Sequence, residues 1–348
     1  MNKLRDKVLV TGGAGYIGSH TVVELHNAGY EPVILDNFSN TEHKVILGIE
    51  SILGQEITVC EEDCNNRDAV RRIIEEHGPF AGVIHFAAYK SVSESVREPL
   101  SYYENNIVSL VTILQECLAS EIPNFIFSSS CTVYGQPENL PVTESTPIQK
   151  SESPYGSTKI VGETVLTDLT ESLQKSNSES ALKVIALRYF NPIGAHPSAK
   201  IGELPLGVPD NLIPYVTQTA AGKREQLTIF GDDYDTPDGT CVRDYIHVVD
   251  LARAHVSALS YLKSRKEKVM YDFVNVGIGQ GKSVMEVVKA FEKVTGEKLN
   301  YTIGDRRPGD IEKIYADVAK SESLLNWRAE ESIENALLHA WNWQKTLD

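Results

Sequence analysis

The sequence predicts an α/β fold: a doubly wound parallel sheet with a smaller, loop-rich C-terminal substrate domain. Over the first 130 residues, short β-branched runs alternate with helical patterns, which indicates strand–helix–strand units with parallel pairing. These runs are apolar without polar alternation, as expected of strands whose two faces are both covered. The length of 348 residues suits one large domain and one smaller one.

The individual elements follow from the positions of the apolar runs. Strands are predicted at 7–12, 32–37, 57–63, 81–88, 124–130, 181–191 and 271–277. Helices are predicted at 16–29, up to residue 52, at 250–262 and at 283–296. Residues 192–242 are rich in Pro, Gly and Asp and indicate loops with short helices, and residues 171–181 indicate a solvated loop. We therefore place a boundary between domains 1–190 and 191–348, and expect segments from about 240–280 to return to the first domain.

Charge and composition disfavour several classes of protein. The formal net charge of -15 disfavours binding to nucleic acid and to anionic membranes. The N-terminus lacks the apolar stretch of a signal peptide, and no apolar run reaches membrane-spanning length. Five cysteines without a C-x-x-C pair indicate reduced thiols in the cytoplasm, and no metal site is expected.

A glycine-rich turn follows the first predicted strand and opens the first helix. In TGGAGYIG, Gly12, Gly15 and Gly18 let the backbone approach a pyrophosphate at the helix N-terminus. Asp36 ends the second strand, 18 residues after Gly18, where a carboxylate accepts from ribose hydroxyls and repels a 2′-phosphate. The alternative is a strand–helix turn followed by a capping Asp. The pattern favours a Rossmann-type NAD site over an NADP site.

Further residues at the carboxyl edge of the sheet are candidates for cofactor contacts. Asp63 follows the third strand, where it is either near the adenine or a helix N-cap. Phe86, Ala87 and Lys90 follow the fourth strand, and Lys90 either pairs with a phosphate or is solvated. Asn105 lies in YYENN, where helix capping is the alternative.

The segment SPYGSTK carries a candidate acid–base pair. Ser153 is suited to cap a helix and Pro154 to its first position, so Tyr155 and Lys159 lie on one face of the helix. A nearby ammonium and a nicotinium ring both lower the pKa of a phenol, which is about 10 when unperturbed. Tyr155 then removes a hydroxyl proton as hydride leaves the carbon. By itself the pair is more typical of an exposed helix surface than of an active site.

SSSCTVYG follows a predicted strand about 25 residues before this pair. Ser130 is a candidate to bind the substrate hydroxyl and relay its proton. Ser128 and Ser129 are expected to satisfy backbone groups near the strand end, and Cys131 is expected to contribute packing.

Together these motifs resemble the extended short-chain dehydrogenase/reductase superfamily and, within it, the UDP-galactose (UDP-glucose) 4-epimerases over essentially the whole chain. HFAAYKSVSESV, LRYFNPIGAHPS, DNLIPY, IFGDDYDTPDGTCVRDYIHVVDLA and RRPGD also carry the resemblance. It implies catalytic roles for Ser130, Tyr155 and Lys159. It implies NAD contacts at Gly12, Gly15, Tyr16, Ile17, Gly18, Asp36, Asn37, Asp63, Cys64, Phe86, Ala87, Lys90, Asn105, Tyr155, Lys159 and Phe190.

The resemblance also implies an activity. It is the reversible epimerisation of UDP-galactose and UDP-glucose at C4, through a 4-keto intermediate and transient NADH, as part of galactose metabolism. Residues 1–190 are then the NAD-binding domain and residues 191–348 the sugar-nucleotide-binding domain. A homodimer joined through helices of the first domain is expected.

The substrate side has its own candidate residues, several with a structural alternative. Asn191 either binds a sugar diphosphate or forms a turn before Pro192, and the family pattern places Asn211 and Leu212 against the nucleotide. Phe230 either packs on uracil or belongs to a strand core.

Two arginines are the candidates for the phosphates. Arg243 and Arg307 carry guanidinium groups that fork onto phosphate oxygens, although a surface ion pair is the usual role of a single Arg. Asp310 either accepts from ribose hydroxyls or caps a helix. Ile314 occupies a sugar-pocket position that is often Tyr or Cys in the family, which leaves acceptance of N-acetylated sugars open.

Three alternatives remain beside this interpretation. A UDP-N-acetylglucosamine 4-epimerase would use the same motifs with a wider pocket. A sugar-nucleotide dehydratase or decarboxylase would carry an acid in the SSSCTVYG segment, which here offers only Ser130, Cys131 and Thr132. A non-enzymatic NAD redox sensor would have no need of the Ser130–Tyr155–Lys159 set.

Overall fold

The computed structural model describes residues 5–176, 179–307 and 310–347. Its helices are α1 (Tyr16–Asn27), α2 (Lys44–Leu53), α3 (Arg67–His77), α4 (Val92–Arg97), α5 (Pro99–Ala119), α6 (Pro154–Lys175), α7 (Leu212–Ala220), α8 (Val248–Ser264), α9 (Val284–Thr295), α10 (Ala319–Leu325) and α11 (Ile333–Gln344). Its strands are β1 (Lys7–Thr11), β2 (Glu31–Asp36), β3 (Thr58–Glu61), β4 (Phe80–His85), β5 (Asn124–Ser130), β6 (Leu182–Tyr189), β7 (Asn191–Ile193), β8 (Leu227–Phe230), β9 (Val242–His247), β10 (Val269–Val276), β11 (Gly281–Ser283), β12 (Tyr301–Gly304) and β13 (Lys313–Ile314).

A seven-stranded parallel sheet forms the centre of the molecule, in the order β10-β6-β5-β4-β1-β2-β3. Successive residues of its strands face opposite sides: Val8 and Val10 pack toward α1, α2 and α8, whereas Leu9 packs toward α3, α5 and α6. This confirms the doubly wound Rossmann-type sheet, and both covered faces explain why its strands lack polar alternation. The strand order reverses between β1 and β4, which opens a crevice at the carboxyl edge.

The C-terminal half builds a second, smaller layer. Strands β7, β9, β11 and β13 form one small sheet, and β8 pairs with β12. A separate hydrophobic core joins these strands to α7, α9 and α11. Two elements of this half lie elsewhere: β10 is an edge strand of the large sheet, and α8 packs beside α1. The exact division into domains 1–190 and 191–348 stays a prediction.

Two predicted elements differ from the observed ones. The strand predicted over 181–191 ends at Tyr189, and Asn191 begins β7, which pairs with β9 rather than with the large sheet. The solvated loop predicted over 171–181 is helical as far as Lys175, because α6 continues for 22 residues. Asn177 and Ser178, from the same stretch, lie outside the described residues.

Two other findings concern the chain as a whole. In the described part of the chain, no helix is both long enough and apolar enough to cross a membrane. All five cysteines are free thiols, and only Cys60 among them is not buried.

Candidate active site

A cleft of about 870 Å³ lies at the carboxyl edge of the large sheet. Its walls include fifteen of the sixteen residues expected to contact the cofactor, from Gly12 in the first turn to Lys159 in α6. Phe190 is the exception, because it lies in a buried cluster with Cys131 and Ile314 behind the cleft. Ser128 and Tyr189 also line the cleft.

The glycine-rich turn is packed too closely to carry side chains. A Cβ on Gly12 would lie 2.7 Å from the backbone nitrogen of Ala87, and one on Gly18 would lie 2.2 Å from the carbonyl oxygen of Gly12. Gly12 also has a φ of +69°, which favours glycine. Gly15 is the N-cap residue of α1 and has no side chain to cap it. Unbonded amides at a helix N-terminus stabilise a phosphate, so this turn fits a dinucleotide.

Asp36 is bonded to the turn itself. Its two carboxylate oxygens accept hydrogen bonds of 3.0 Å from the backbone nitrogens of Ala14 and Phe38. Burial raises the pKa of Asp36, and both of these bonds act in the opposite direction. A carboxylate oxygen can accept more than one bond, so ribose hydroxyls can still bind. Asp36 therefore both stabilises the turn and remains available to the cofactor.

Neighbouring residues show which of the predicted alternatives hold. Asp63 is not a helix cap, because Asn66 caps α3 by accepting from Ala69. Asp63 instead accepts a 3.0 Å bond from Asn37. Asn105 is not a cap either, since it lies inside α5 and lines the cleft. These two corrections leave the cleft as the common location of Asn37, Asp63 and Asn105.

Lys90 has a partner that the sequence did not indicate. Its Nζ atom donates to Glu203 Oε1 at 3.1 Å and lies 5.6 Å from the centre of the Tyr16 ring. Lys90 therefore has a carboxylate partner within the protein. This differs from both predicted alternatives, a solvated side chain and a pairing with a phosphate alone.

The start of α6 is built as predicted. Ser153 accepts a 3.2 Å bond from the Gly156 nitrogen, and Pro154 occupies the first helical position. Tyr155 and Lys159 lie on one face, with Lys159 Nζ 5.8 Å from the centre of the Tyr155 ring. Both side chains are buried, and Lys159 Nζ donates to the Ser128 carbonyl oxygen at 2.7 Å.

The pKa values of this pair are set first by burial. Burial raises the pKa of Tyr155, and a hydrogen bond with Ser130 acts in the opposite direction. Burial lowers the pKa of Lys159 to about 8, and the charge of Glu163 opposes that shift. The expected lowering of the phenol pKa is therefore absent in the protein alone. The sequence predicted that an ammonium and a nicotinium ring together lower the pKa of Tyr155. The positive charge of the nicotinium ring is present only when the cofactor is bound.

Ser128 and Ser129 have side-chain partners rather than the backbone partners expected. Ser128 Oγ and the Tyr189 hydroxyl are 2.5 Å apart, and Ser129 Oγ donates to Glu163 at 2.5 Å. Glu163 in turn accepts two bonds from Arg188 at 2.9 and 2.5 Å. The strand end that carries Ser130 is thus fixed by a buried polar network.

Four predicted substrate residues come together, although none of them lines the cofactor cleft. Arg307 donates to Asp310 at 2.7 Å, and Arg243 lies 3.9 Å from the same carboxylate. The Arg307 guanidinium lies 5.7 Å from the centre of the Phe230 ring. Phe230 is 43% exposed, so it is not a strand-core residue. Two guanidinium groups, a carboxylate and an open ring suit a nucleoside diphosphate.

The remaining substrate candidates are more dispersed. Asn191 lies in β7, opposite Tyr245 of β9, and does not form a turn. Asn211 is the N-cap residue of α7 and lines the cleft, whereas Leu212 packs against the C-terminal core. Ile314 is 1% exposed and is paired in register with Arg243.

Comparisons with known proteins agree with this arrangement. Residues 9–339 match the family model described as GDP-mannose 4,6 dehydratase. The chain is 48% identical to the UDP-glucose 4-epimerase of Bacillus subtilis (strain 168) over 343 residues, which cover 97% of each protein. The chain belongs to the UDP-glucose 4-epimerase family.

Solved structures of this family have the same fold. The UDP-glucose 4-epimerase from Bifidobacterium longum in complex with NAD+ and UDP is 42% identical, with a TM-score of 0.91 and 98% coverage of both chains. The Stenotrophomonas maltophila enzyme with bound NAD and formylated UDP-arabinopyranose is also 42% identical, with a TM-score of 0.93 and 99% coverage of both chains. Epimerases are isomerases, which places this chain in that class of enzyme.

Proposed function

We propose that this chain interconverts UDP-galactose and UDP-glucose at C4 of the hexose, through a 4-keto intermediate. The observation that carries the proposal is the position of Tyr155 and Lys159 on the wall of the cofactor cleft. Ser130, at the end of β5, is close enough to the Tyr155 phenol to act on its pKa. This arrangement combines a dinucleotide site with a proton acceptor. The cluster of Phe230, Arg243, Arg307 and Asp310 lies on the substrate side and suits the UDP group.

NAD fits the cleft because the glycine turn has no room for side chains and Asp36 is placed to accept from ribose hydroxyls. When bound, NAD supplies the site that accepts hydride from C4 of the sugar and returns it. Lys90 and the N-terminus of α1 would hold its diphosphate. The Asp36 carboxylate disfavours the 2′-phosphate of NADP.

Tyr155 is the proton acceptor at its phenolic oxygen. Because burial raises the pKa of Tyr155, the phenolate needs positive charge nearby. The Lys159 ammonium contributes that charge, and its bond to Ser128 keeps it at the sheet edge. Ser130 then relays the C4 hydroxyl proton or holds the hydroxyl in place. Arg243 and Arg307 hold the diphosphate while the sugar presents its other face.

Elimination of water is disfavoured by the residues beside Ser130. A dehydratase needs an acid there, whereas this chain has Cys131 and Thr132. Burial raises the pKa of Cys131 to about 12, so the thiol is a poor proton donor. A redox sensor would not need the proton relay. Activity on UDP-N-acetylglucosamine remains the nearest alternative and depends on Ile314.

We also propose a homodimer formed through α5 and α6. The two helices pack against each other and present exposed Leu100, Tyr103, Val108 and Val161. Exposed apolar side chains on paired helices are typical of a subunit interface. A cytoplasmic location is proposed from the five free thiols.

Incubation with UDP-galactose and no added reductant tests the main proposal. The NAD-loaded protein is expected to produce UDP-glucose until the two sugars reach equilibrium. Unchanged UDP-galactose, or accumulation of a 4-keto-6-deoxy sugar, would contradict it.

A further inference from the structure

One carboxylate oxygen joins two residues of the cleft that the proposed function assigns to different ligands. Glu203 Oε1 accepts from Lys90 Nζ at 3.1 Å and from Asn211 Nδ2 at 2.6 Å. Lys90 follows β4 and Asn211 is the N-cap residue of α7, and both line the cleft. The Glu203 side chain is 10% exposed, so solvent competes little for these bonds.

The backbone fixes the position of this carboxylate. The carbonyl oxygen of Glu203 accepts a 2.9 Å bond from Trp343 Nε1 of α11. A Cβ on Gly202 would lie 2.4 Å from the Trp343 ring, so the segment and the indole are in close contact. Glu203 therefore enters the cleft from a loop that is anchored to α11 through Trp343.

The negative charge of Glu203 opposes the binding of diphosphates in this cleft. The carboxylate therefore needs another role, and its two hydrogen bonds indicate what that role is. An ammonium has three donors, which lets Lys90 keep Glu203 while it donates to a phosphate. An Asn side chain has two amide donors and one carbonyl acceptor. One donor bonded to Glu203 fixes the rotation of the Asn211 amide and leaves its other groups for a ligand.

We propose that Glu203 is a positioning residue that holds Lys90 for the cofactor and Asn211 for the nucleotide of the substrate. Because both bonds end on one oxygen, the affinity for UDP is linked to the residue that retains NAD. This inference rests on the proposed function, which assigns Lys90 to the cofactor and Asn211 to the substrate.

Glu203→Leu and Glu203→Gln separate positioning from charge, since Gln keeps an acceptor oxygen and Leu has none. The measurements are the Kd for UDP of NAD-loaded protein by calorimetry and the half-time of NAD release into an enzymatic trap. We expect E203L to weaken UDP binding about tenfold, the effect of one lost hydrogen bond, and to shorten NAD retention. E203Q should stay within about threefold of the original chain for UDP, because its oxygen still accepts from Asn211.

Asp210→Asn is the matched control. Asp210 lies on the same segment, and its carboxylate accepts from Ser91 and from Ser93 but not from Lys90 or Asn211. D210N removes the same charge and should not weaken UDP binding. If D210N weakens UDP binding as much as E203L, the negative charge on this segment rather than the bonds of Glu203 sets the affinity, and the inference fails.

Lys90→Met tests the link directly. As a single substitution, K90M should weaken UDP binding several-fold. The Glu203 carboxylate then has no positive partner, and its negative charge opposes the diphosphate. In the E203L background, K90M should leave the Kd for UDP unchanged. For UDP-galactose, E203L should raise KM more than it lowers kcat, whereas general damage to the fold would lower kcat.

The wild-type protein separates the two proposals. If it binds neither NAD nor UDP, the proposed function fails. If it binds both and E203L has an unchanged Kd and NAD half-time, Glu203 has no positioning role. Tighter binding of both ligands by E203L would also overturn the inference, since the carboxylate would then act only as a repulsive charge.

Discussion

Lys159 donates a 2.7 Å hydrogen bond from Nζ to the carbonyl oxygen of Ser128, which places a buried ammonium beside the Tyr155 ring. Burial lowers the pKa of Lys159 to about 8 from an ordinary value of 10.5. The charged form is therefore less stable in the folded protein than in the unfolded chain. The proposed mechanism needs this charge, and keeping the charge buried lowers the free energy of unfolding.

This predicts how Lys159→Met changes stability with pH. Between about pH 8 and 10.5 the unfolded chain binds more protons than the folded one, so wild-type stability rises with pH relative to K159M. K159M should be the more stable protein at pH 7. The difference between the free energies of unfolding of the two proteins should shrink by on the order of 3 kcal/mol between pH 8 and 10.5. Denaturant unfolding at several pH values measures it. The exposed Lys175 is the control: its hydrogen bond to Glu171 raises its pKa rather than lowering it, so K175M should show no such convergence with the wild type between pH 8 and 10.5.

Tyr155→Phe should lower kcat by about 10²–10⁴-fold, the usual contribution of a general base. The Kd for UDP should be nearly unchanged, because the residues proposed to hold the phosphates and the uracil are others. Tyr189→Phe is a matched control, since its hydroxyl lies 2.5 Å from Ser128 Oγ in the same cleft. Near-normal turnover by Y155F, or an equal loss in Y189F, would exclude Tyr155 as the base.

The sequence was sufficient for the features that depend on local pattern. The apolar runs located the strands of the large sheet, because continuous burial leaves a continuous apolar signal. The Ser153–Pro154 start of α6 was predicted for the same reason, since capping depends on neighbours along the chain. These local rules also brought Tyr155 and Lys159 to one face.

Features that depend on distant residues were not predictable. Glu203 meets Lys90 across 113 positions, and Ser129 meets Glu163 across 34, with no motif to connect either pair. Asn105 was open to interpretation as a helix cap because polar residues favour helix ends, yet it lies within α5 on the cleft wall. The raised pKa of Tyr155 comes from burial, and the spacing of residues along a single helix does not show how deeply a side chain is buried.

Asp36→Asn should relax discrimination against NADP. The amide removes the charge that repels a 2′-phosphate, and its oxygen can still accept one of the two bonds from Ala14 and Phe38. NAD retention should fall moderately, because the glycine turn loses the other bond. The ratio of Kd values for NADP and NAD measures the effect. If that ratio is the same as in the wild type, Asp36 serves the turn alone.

Leu100→Glu combined with Val161→Glu should convert a dimer into monomers. Leu100 is 81% exposed on α5 and Val161 is 37% exposed on α6, so the substitutions place charge in the proposed interface without disturbing a core. Sedimentation velocity measures the mass. Leu47→Glu is the control, since Leu47 is 66% exposed on α2. A wild-type protein that sediments as a monomer would contradict the proposed interface.

The last prediction concerns the width of the sugar pocket. Ile314 is paired with Arg243 in the small sheet and packs in the cluster that contains Cys131, the residue after Ser130. Its side chain is 1% exposed and does not line the cofactor part of the cleft. Its influence on the sugar therefore has to act through the wall behind Ser130. We expect measurable but inferior activity on UDP-N-acetylglucosamine, because Ile is smaller than Tyr and larger than Cys.

Ile314→Tyr should remove the activity on the N-acetylated sugar and spare turnover of UDP-galactose, whereas Ile314→Cys should raise the former. A Tyr in a packed cluster also costs about 1–3 kcal/mol of stability, which would lower both activities together. The ratio of kcat/KM for the two sugars removes this shared loss, because damage common to both substrates cancels. A ratio that stays constant across Tyr, Ile and Cys would show that Ile314 only packs the wall. A ratio that rises from Tyr through Ile to Cys would show that the volume of this side chain sets the space available at C2 of the sugar.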